Sequence, residues 1–368
     1  MNIGIFGGAF DPFHKEHKEI IIVSKNQLAL DKVVIVPSFS PPHKTAIVSN
    51  YESRRKMVEV SVNDLDYVII DDIEYQRNTI NPTNEILEIL KEKYPCNNLY
   101  FIIGGDSMVN FYTWIKPEKI CTLATLAVVN REGYNDKIED SIKLAVNNYN
   151  AKIIKLDYNG KDISSSEIKA SLELGMDTQN ISMEVRDVIN KKGLYKEFSD
   201  ILSKLKSNIP GYTFLHVSNS VLYGLKLNAH FNLSYRKVFL ACVLHDCTKH
   251  LHINMEGVPP KVVHQFSGAE TAKDVYGIFE EDILDAIRYH TTGKKEMSNL
   301  GRIVYCADML EKDRYFGGVE DLRNLIEKDF DKGFVACVNK SLEKLSKENN
   351  PIHPLTRECA AYYNELYK

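Results

Sequence analysis

The sequence lacks three features, each of which would place the protein in a special class. None of its apolar runs approaches the roughly 18 residues that a membrane-spanning helix needs. Its seven cysteines are odd in number and include no Cys-x-x-Cys pair, which is typical of reduced thiols and not of a disulfide framework. No charged, leader-like segment precedes the first apolar residues. We therefore expect a cytoplasmic protein without a membrane anchor.

The sequence also has little excess of either charge. Its 46 lysines and arginines nearly balance its 50 aspartates and glutamates, and the formal net charge is -4. Nucleic-acid binding draws on clustered basic residues that release counterions, and the sequence has no basic run. We therefore expect small molecules as partners and no nucleic acid, while a local phosphate site remains compatible with this balance.

The length of 368 residues predicts two domains, since one domain usually has about 100 to 200 residues. In the first half, short apolar runs rich in β-branched residues alternate with segments long enough for helices. The runs are Val33–Val36, Tyr67–Ile70, Tyr100–Ile103, Leu126–Val129 and Lys152–Ile154. This alternation is typical of βαβ units and of a parallel sheet covered by helices on both faces.

The alternation stops after Tyr195, and the apolar spacing is helical from about residue 199 onward. We therefore predict an α/β domain with a Rossmann-like parallel sheet over residues 1–196. An all-α domain is predicted over residues 199–368. The lysine-rich segment from 196 to 210 is either a linker or the first helix of the second domain.

A turn with paired glycines follows the first predicted strand. Gly7 and Gly8 allow the backbone to approach a phosphate closely, and ligands of parallel sheets bind at this carboxyl end of the strands. Asp11 is predicted to cap the next helix, with Pro12 in its first turn. The segment therefore predicts a phosphate-binding turn.

Two histidines stand three residues apart just after this turn. At that spacing His14 and His17 share one face of the predicted helix, near its positive N terminus. Two imidazole donors there suit the negative charge that a phosphate carries in a transition state. The alternative is a glycine turn followed by two surface histidines with no role.

A second segment with phosphate-binding character lies near residue 165. Ser164 and Glu167 have the spacing of a capping box, and a helix start rich in hydroxyl groups binds anions through its free N–H groups. Lys169 adds a cation one turn further on. Capping boxes are common, so this segment predicts a phosphate site only in combination with the first one.

In the second half of the sequence, several histidines and aspartates lie next to apolar runs. His245 and Asp246 directly follow the run 240–244, where a polar pair would be costly unless it binds something. Side chains on separate helices can converge on a two-metal site that activates water and clamps a phosphate. The candidate ligands are His216, His245, Asp246, His264, His290 and Asp308. Lys249 is better placed for phosphate than for metal, and no role is assigned to His230, His250, His252 or His353.

The two phosphate segments together resemble the paired motifs of the nucleotidyltransferase superfamily. Further residues, in order and spacing, resemble the bacterial nicotinate-mononucleotide adenylyltransferases across the whole first domain. They are Pro37, Pro41-Pro42-His43-Lys44, Arg54, Met57, Glu74, Thr83, Gly104, Asp106-Ser107, Trp114, Arg131 and the stretch from Val185 to Tyr195. The resemblance implies adenylyl transfer from ATP, with Mg²⁺, to nicotinate mononucleotide, which gives deamido-NAD and pyrophosphate in NAD biosynthesis.

The resemblance also implies which residues carry this reaction, with His14, His17 and Lys169 as catalytic residues. The implied ATP-binding residues are Gly7, Gly8, Phe10, His14, His17, Gly104, Asp106, Ser164, Ser165, Ser166 and Lys169. The implied residues for the pyridine nucleotide are Lys44, Thr83, Asp106, Trp114 and Arg131. Trp114 would stack on the pyridine ring, whereas by itself a lone tryptophan is more often a core residue.

The chain departs from the pattern of this family at five positions. They are Ala9, Glu16, Asn81, Pro82 and Lys169, where the family usually has a small hydroxyl residue, glycine, serine, tyrosine and arginine. These departures affect the contacts to the pyridine ring and the phosphates and not the type of reaction. Another acceptor, such as phosphopantetheine, is the alternative for this domain.

The ordered ligand set of the second half resembles the HD superfamily of metal-dependent phosphohydrolases over residues 205–368. The flanking residues resemble the bacterial branch that cleaves diadenosine tetraphosphate symmetrically to two ADP. In that branch His216, His245, Asp246 and Asp308 would hold one metal ion, and Asp246, His264 and His290 the second. The resemblance implies iron as the metal, with Asp246 and Lys249 catalytic, although imidazole ligands suit zinc and manganese nearly as well.

Two alternatives stay open for the second domain. It hydrolyses another nucleotide, such as guanosine tetraphosphate or a monophosphate, or it is a regulatory or dimerisation module without catalysis. The complete ligand set favours a catalytic domain. The sequence leaves a homo-oligomer open.

Overall fold

The structure is a computed structural model that describes residues 1–39, 49–77, 81–131, 135–160, 164–348 and 351–367. The chain divides into two compact units. The first comprises Met1–Lys169 and Thr178–Tyr195, and the second comprises Ala170–Asp177 and Lys196–Lys368. The domain ranges 1–196 and 199–368 remain a prediction. Among the helices that the structure describes, none is both long and apolar enough to cross a membrane.

The first unit contains a parallel sheet, and every apolar run predicted as a strand contributes to it. The strands are β1 (Asn2–Gly8), β2 (Lys32–Pro37), β3 (Val68–Ile70), β4 (Asn98–Gly104), β5 (Thr125–Arg131) and β6 (Ile153–Gly160). Their order in the sheet is β3-β2-β1-β4-β5-β6, and each neighbouring pair is parallel. The predicted Rossmann-like sheet is therefore confirmed.

Helices follow the strands and cover the sheet. Those that begin in the first unit are α1 (Lys15–Gln27), α2 (Tyr51–Val62), α3 (Ile73–Arg77), α4 (Thr83–Lys93), α5 (Gly105–Val109), α6 (Pro117–Leu123), α7 (Asn135–Tyr149), α8 (Ser165–Glu173) and α9 (Met183–Lys192). The residues Val33–Val36 of β2 are all buried, as in a strand whose two faces are both covered. This explains why the β2 segment is a continuous apolar run without polar alternation.

The sheet order fixes where a ligand can bind. The chain winds outward from β1 through β2 to β3, and then returns to β4 on the other side of β1. In such doubly wound sheets the crevice lies beyond the carboxyl ends of the two central strands, where the winding direction changes. The turn after β1 and the turn after β4 therefore border this crevice.

The second unit is helical throughout the residues that the structure describes there, which confirms the predicted all-α domain. Its helices are α10 (Ser199–Asn208), α11 (Gly211–Leu227), α12 (Tyr235–Leu244), α13 (Val263–Asp274), α14 (Glu281–Arg288), α15 (Asn299–Leu310), α16 (Val319–Lys328), α17 (Phe330–Lys347) and α18 (Pro354–Leu366). Of the two possibilities for residues 196 to 210, the helix is the correct one. α11 packs against α12 and α15, and the residues from Val238 to Leu244 of α12 are all buried.

Candidate active site and metal centre

The turn after β1 differs from its predicted form at the start of α1. The N-cap residue of α1 is His14, so the prediction that Asp11 caps this helix is wrong. Asp11 is buried instead, where its Oδ1 accepts a hydrogen bond from the Tyr195 hydroxyl at 2.8 Å. Its Oδ2 lies 3.4 Å from the Lys169 Nζ. Because distant residues bind this carboxylate, it does not serve the helix that follows it.

The two histidines lie side by side at the N terminus of α1, as the spacing predicts. Their rings stack with centroids 3.6 Å apart, and the His14 backbone N–H donates to the His17 Nδ1 at 3.2 Å. Since the Nδ1 of His17 accepts, its Nε2 carries the proton in the neutral ring and is the atom that can donate. Phe10 and Phe13 contact the His17 ring, with centroids 5.1 and 5.2 Å away. This packing fixes the direction of the imidazole.

The second phosphate segment forms the predicted capping box at the start of α8. The Ser164 Oγ accepts from the Glu167 N–H at 3.1 Å, and the Glu167 Oε2 accepts from the Ser164 backbone N–H at 3.3 Å and from its hydroxyl at 2.7 Å. Ser165 and Ser166 stand in the first turn and are half-buried. Through Lys169 and Asp11 the structure brings the two phosphate segments together.

The structure places part of the residue set implied for the pyridine nucleotide. Thr83 is the first residue of α4, and Asp106 is exposed in α5, directly after β4. Trp114 is half-buried and packs against Phe111, with ring centroids 5.5 Å apart. α4 packs against α6, the helix that follows Trp114. Lys44 lies outside the described residues, and so does the side chain of Arg131 at the end of β5.

The glycines implied for ATP binding lie at the ends of the two central strands. Gly7 and Gly8 end β1, and Gly104 ends β4. A Cβ atom on Gly104 would lie 2.4 Å from the Asp106 Oδ1, so this strand end fits glycine while Asp106 keeps its orientation. These backbone positions border the crevice that the sheet order defines.

The metal candidates of the second unit converge from five segments. His216 is on α11, His245 and Asp246 directly follow α12, and His264 is on α13. His290 follows α14, and Asp308 is in the last turn of α15. Their ligand atoms form two groups, within each of which the atoms lie within 4.8 Å of one another. We call them the His216 cluster (His216, His245, Asp246, Asp308) and the His264 cluster (Asp246, His264, His290).

Asp246 belongs to both clusters and presents one oxygen to each. Its Oδ2 lies 3.5 Å from the Nε2 atoms of His216 and His245, and its Oδ1 lies 3.4 Å from the Nε2 atoms of His264 and His290. Its Oδ1 and the His245 Nε2 are buried and lack a hydrogen-bond partner among the described residues. Buried polar atoms normally have partners, so these two fit a cation as their missing neighbour.

The backbone orients two of the imidazoles toward the centre. The Nδ1 of His245 lies 2.6 Å from the Cys242 carbonyl oxygen, and the Nδ1 of His290 lies 2.8 Å from that of Ile287. An Nδ1–H that donates to a carbonyl leaves the Nε2 lone pair for a cation, as is usual for histidine ligands. The donor set and its orientation therefore fit divalent metal ions.

Family models match both parts of the chain. A Cytidylyltransferase-like model matches residues 5–171, and an HD domain model matches residues 213–313. A Clostridium tetani protein named "Probable nicotinate-nucleotide adenylyltransferase" is 33% identical over 195 residues, which are 52% of this chain and 98% of that protein. The chain belongs to the nicotinate-nucleotide adenylyltransferase family. The resemblance predicted for the first half is thereby confirmed.

Another relative matches both halves of this adenylyltransferase family member. The Mycoplasma genitalium protein named "Probable nicotinate-nucleotide adenylyltransferase/Ap4A hydrolase" is 26% identical over 339 residues, which are 87% of this chain and 91% of that protein. Among solved structures, a Plasmodium falciparum nicotinic acid mononucleotide adenylyltransferase complexed with NaAD shares 22% identity, with a TM-score of 0.45. The match covers 53% of this chain and 97% of the Plasmodium falciparum chain. The chain is an enzyme with a C-terminal HD domain, as predicted.

Electrostatic interactions in this adenylyltransferase's HD domain keep its carboxylates ionised. Burial opposes ionisation, but His245 and His290 hold the pKa of Asp246 well below its usual range. The pKa of Asp308 is also well below its usual range, because Lys249 and two histidines outweigh its burial. Burial and the neighbouring His290 lower the pKa of His264 to about 3. The His264 ring is therefore neutral near pH 7, the form that binds metals.

Two basic side chains reach the carboxylates of the His216 cluster. The Lys249 Nζ lies 2.6 Å from the Asp246 Oδ2, and the Arg314 Nη2 lies 2.5 Å from the Asp308 Oδ1. The sequence assigned Lys249 to phosphate and gave Arg314 no role. Arg314 is one of the flanking residues that resemble the HD branch, but the resemblance gave no contact for it.

Two buried charges organise the sites: Arg54, which the resemblance includes without a role, and Glu311, which it does not include. Arg54 is almost fully buried, donates to the Ala9 carbonyl at 2.6 Å and to the Ser38 carbonyl at 2.7 Å, and so ties the turn after β1 to the segment after β2. Burial lowers the pKa of Arg54. Glu311 is buried beside His216, with its Oε1 3.1 Å from the Nδ1 of that ring.

Proposed function

We propose that the first domain transfers the adenylyl group of Mg²⁺-bound ATP to nicotinate mononucleotide. The 5'-phosphate oxygen of the mononucleotide attacks the α-phosphorus of ATP in line, a new P–O bond forms, and the bond to pyrophosphate breaks. No covalent intermediate with the enzyme is needed, so catalysis comes from positioning and from neutralising negative charge. Membership of the adenylyltransferase family carries this proposal.

The residues around the β1 turn supply that neutralisation in the proposed mechanism. The His17 Nε2 donates to the phosphate oxygens from the positive end of α1, and His14 lies stacked beside it. Lys169 brings a cation to the same turn, held at 3.4 Å from Asp11. The N–H groups at the start of α8 and the glycine backbone of β1 and β4 complete the ATP site.

Replacing Trp114 by alanine should weaken binding of the pyridine nucleotide more than binding of ATP. Stacking of a base on an aromatic side chain contributes about 1 to 3 kcal/mol, so the KM for nicotinate mononucleotide should rise about tenfold or more. Steady-state kinetics with each substrate varied in turn measures this. Trp114→Phe keeps an aromatic face and should behave almost as the wild type. An unchanged acceptor KM in Trp114→Ala would remove this residue from the pyridine site.

We further propose that the second domain hydrolyses diadenosine tetraphosphate to two ADP with two divalent metal ions, which we take to be iron. The ions would be held by the His216 cluster and the His264 cluster, bridged by Asp246. Bound there, they would activate water and neutralise the phosphates. The orientation of Asp246, one oxygen toward each cluster, is the observation that supports this proposal.

Lys249 should bind the polyphosphate of the substrate and not the metal. Its Nζ is within hydrogen-bond distance of Asp246, yet its side chain is 42% exposed and can turn to a ligand. Lys249→Ala should therefore keep both metal ions and lower hydrolysis by about 10²-fold, since it removes a cation that stabilises transferring phosphoryl groups. Elemental analysis and an ADP assay on the same sample measure this. Loss of metal together with rate would instead make Lys249 part of the metal site.

A substrate panel on the purified full-length chain tests the proposed functions. One arm measures pyrophosphate released from ATP with nicotinate mononucleotide, its amide or phosphopantetheine as acceptor. The other arm measures products from diadenosine tetraphosphate, guanosine tetraphosphate and nucleoside monophosphates. We expect nicotinate mononucleotide to be used far better than its amide, and two ADP to be the products of hydrolysis.

Each alternative has its own outcome in this panel. Products of AMP and ATP would mean that water attacks a different phosphorus, and activity on another nucleotide would change the substrate of the HD domain. A chain that binds no metal and hydrolyses none of these nucleotides would favour a regulatory module. Preference for phosphopantetheine would overturn the assigned acceptor.

A further inference from the structure

Glu311 is a buried carboxylate beside the His216 ring. It directly follows α15 and is 3% exposed. Its Oε1 lies 3.1 Å from the His216 Nδ1, and its Oε2 accepts a hydrogen bond from the Asp313 backbone N–H at 2.7 Å. The Nε2 on the other side of the same ring lies 3.0 Å from the Asp308 Oδ1. The His216 ring therefore stands between Glu311 and Asp308, another member of the His216 cluster.

This contact distinguishes His216 from His245 and His290. His245 and His290 donate from Nδ1 to neutral backbone carbonyls, whereas the partner of His216 is a carboxylate. A carboxylate makes the stronger hydrogen bond and raises the electron density at the opposite ring nitrogen. Among these three imidazoles, the Nε2 of His216 is therefore the one with the highest electron density.

The charges near the His216 cluster give this carboxylate a second effect. Lys249 and Arg314 each place a positive group within hydrogen-bond distance of one carboxylate of the cluster, and both oppose the entry of a cation. Glu311 adds a buried negative charge near Arg314, with its Oε1 3.7 Å from the Arg314 Nε. It therefore offsets part of the positive charge around the cluster.

The backbone of Glu311 is held in place by the next helix. Arg323 of α16 donates from Nε to the Leu310 carbonyl at 2.9 Å and from Nη2 to the Glu311 carbonyl at 2.6 Å. The Glu311 carbonyl also accepts a hydrogen bond from the Arg314 backbone N–H at 3.0 Å. The backbone from which the Glu311 side chain extends toward His216 is therefore held in position by Arg323.

We propose that Glu311 is a positioning residue that orients His216 and makes the His216 cluster the tighter of the two metal sites. This cluster also has four protein ligands, against three in the His264 cluster. The inference rests on the proposed metal-dependent function of the HD domain. It predicts that the His216 cluster is loaded first as metal is added to the metal-free chain.

Titration of the full-length chain with Co²⁺ after chelator treatment tests this inference. On a His264→Ala background, which isolates the His216 cluster, Glu311→Gln should lower Co²⁺ affinity by about 10- to 100-fold. It should also shift the visible Co²⁺ spectrum, because the ligand field of His216 changes. Glu343→Gln makes the same change on an exposed carboxylate of α17 and should leave affinity and spectrum as they are.

On a His216→Ala background, which isolates the His264 cluster, Glu311→Gln should leave Co²⁺ affinity unchanged. Equal weakening of both clusters, or a lower melting temperature with unchanged affinity and spectrum, would show a merely structural role and overturn the inference. If Glu311→Gln does not fold, Glu311→Asp, which keeps the charge and shortens the reach, must weaken the His216 cluster, or the inference fails.

The result separates this inference from the proposed substrate. A chain with the expected Co²⁺ behaviour that leaves diadenosine tetraphosphate intact would refute the hydrolysis proposed above and leave the role of Glu311 standing. If the chain cleaves this substrate but wild type and Glu311→Gln bind Co²⁺ equally well, the proposed hydrolysis stands and the role of Glu311 is refuted.

Discussion

Replacing Asp246 by alanine should abolish hydrolysis of diadenosine tetraphosphate while adenylyl transfer by the same chain stays near the wild-type rate. Asp246 faces both clusters, so its loss removes a ligand from each metal ion at once. Metal catalysis of phosphate cleavage contributes several kcal/mol, and we expect a fall of about 10³-fold or more. Metal content, measured by elemental analysis, should fall with the rate.

The control for this change is a carboxylate of the same unit that belongs to neither cluster. Asp282 pairs with Lys237 in a half-exposed ion pair at the start of α14. Asp282→Ala should keep metal and rate, since such surface pairs contribute little. If Asp246→Ala retained substantial hydrolysis with normal metal content, Asp246 would not bridge the two ions. Loss of adenylyl transfer as well would point to general unfolding of the chain.

His17→Ala should lower adenylyl transfer by about 10²-fold or more, because a preorganised donor to the transition-state charge contributes about 3 to 4 kcal/mol. The fold should persist, since His17 is only half-buried and its ring packs at the edge of Phe10 and Phe13. Steady-state kinetics should show the loss in kcat more than in either KM.

Hydrolysis by the HD domain provides the internal control for this variant. It should be unchanged in His17→Ala, because the residues proposed for the two reactions belong to different units. His14→Ala is expected to lose adenylyl transfer to a similar degree. A His17→Ala variant with a normal rate of adenylyl transfer would remove this imidazole from the mechanism.

Most of the fold can be predicted from the sequence, because the positions that are buried in the fold must carry apolar residues. Strands covered on both faces must be apolar along their whole length, so a run such as Val33–Val36 is visible without any structure. The ligand set is visible for a related reason, since a polar pair such as His245 and Asp246 after a fully apolar helix needs a partner that compensates its burial.

The contacts that orient these groups could not be predicted, because they join residues far apart in the chain. Glu311 lies 95 residues from the histidine that it contacts, and glutamate after a helix is ordinarily a surface residue. Asp11 fits the local pattern of a helix cap, but Tyr195 and Lys169 bind it from the other end of the unit. In both cases tertiary contacts decide the role of the carboxylate.

The contacts of Asp11 also bear on how the chain is made. Lys169 and Tyr195 follow Asp11 by 158 and 184 residues, so at roughly 5 to 20 residues per second a ribosome needs on the order of ten seconds or more to supply them. Until then the Asp11 carboxylate lacks the Lys169 cation and the Tyr195 hydroxyl, which offset the free-energy cost of its burial. The glycine turn is among the first segments to be synthesised, yet these two contacts of Asp11 can form only after nearly the whole first unit has emerged.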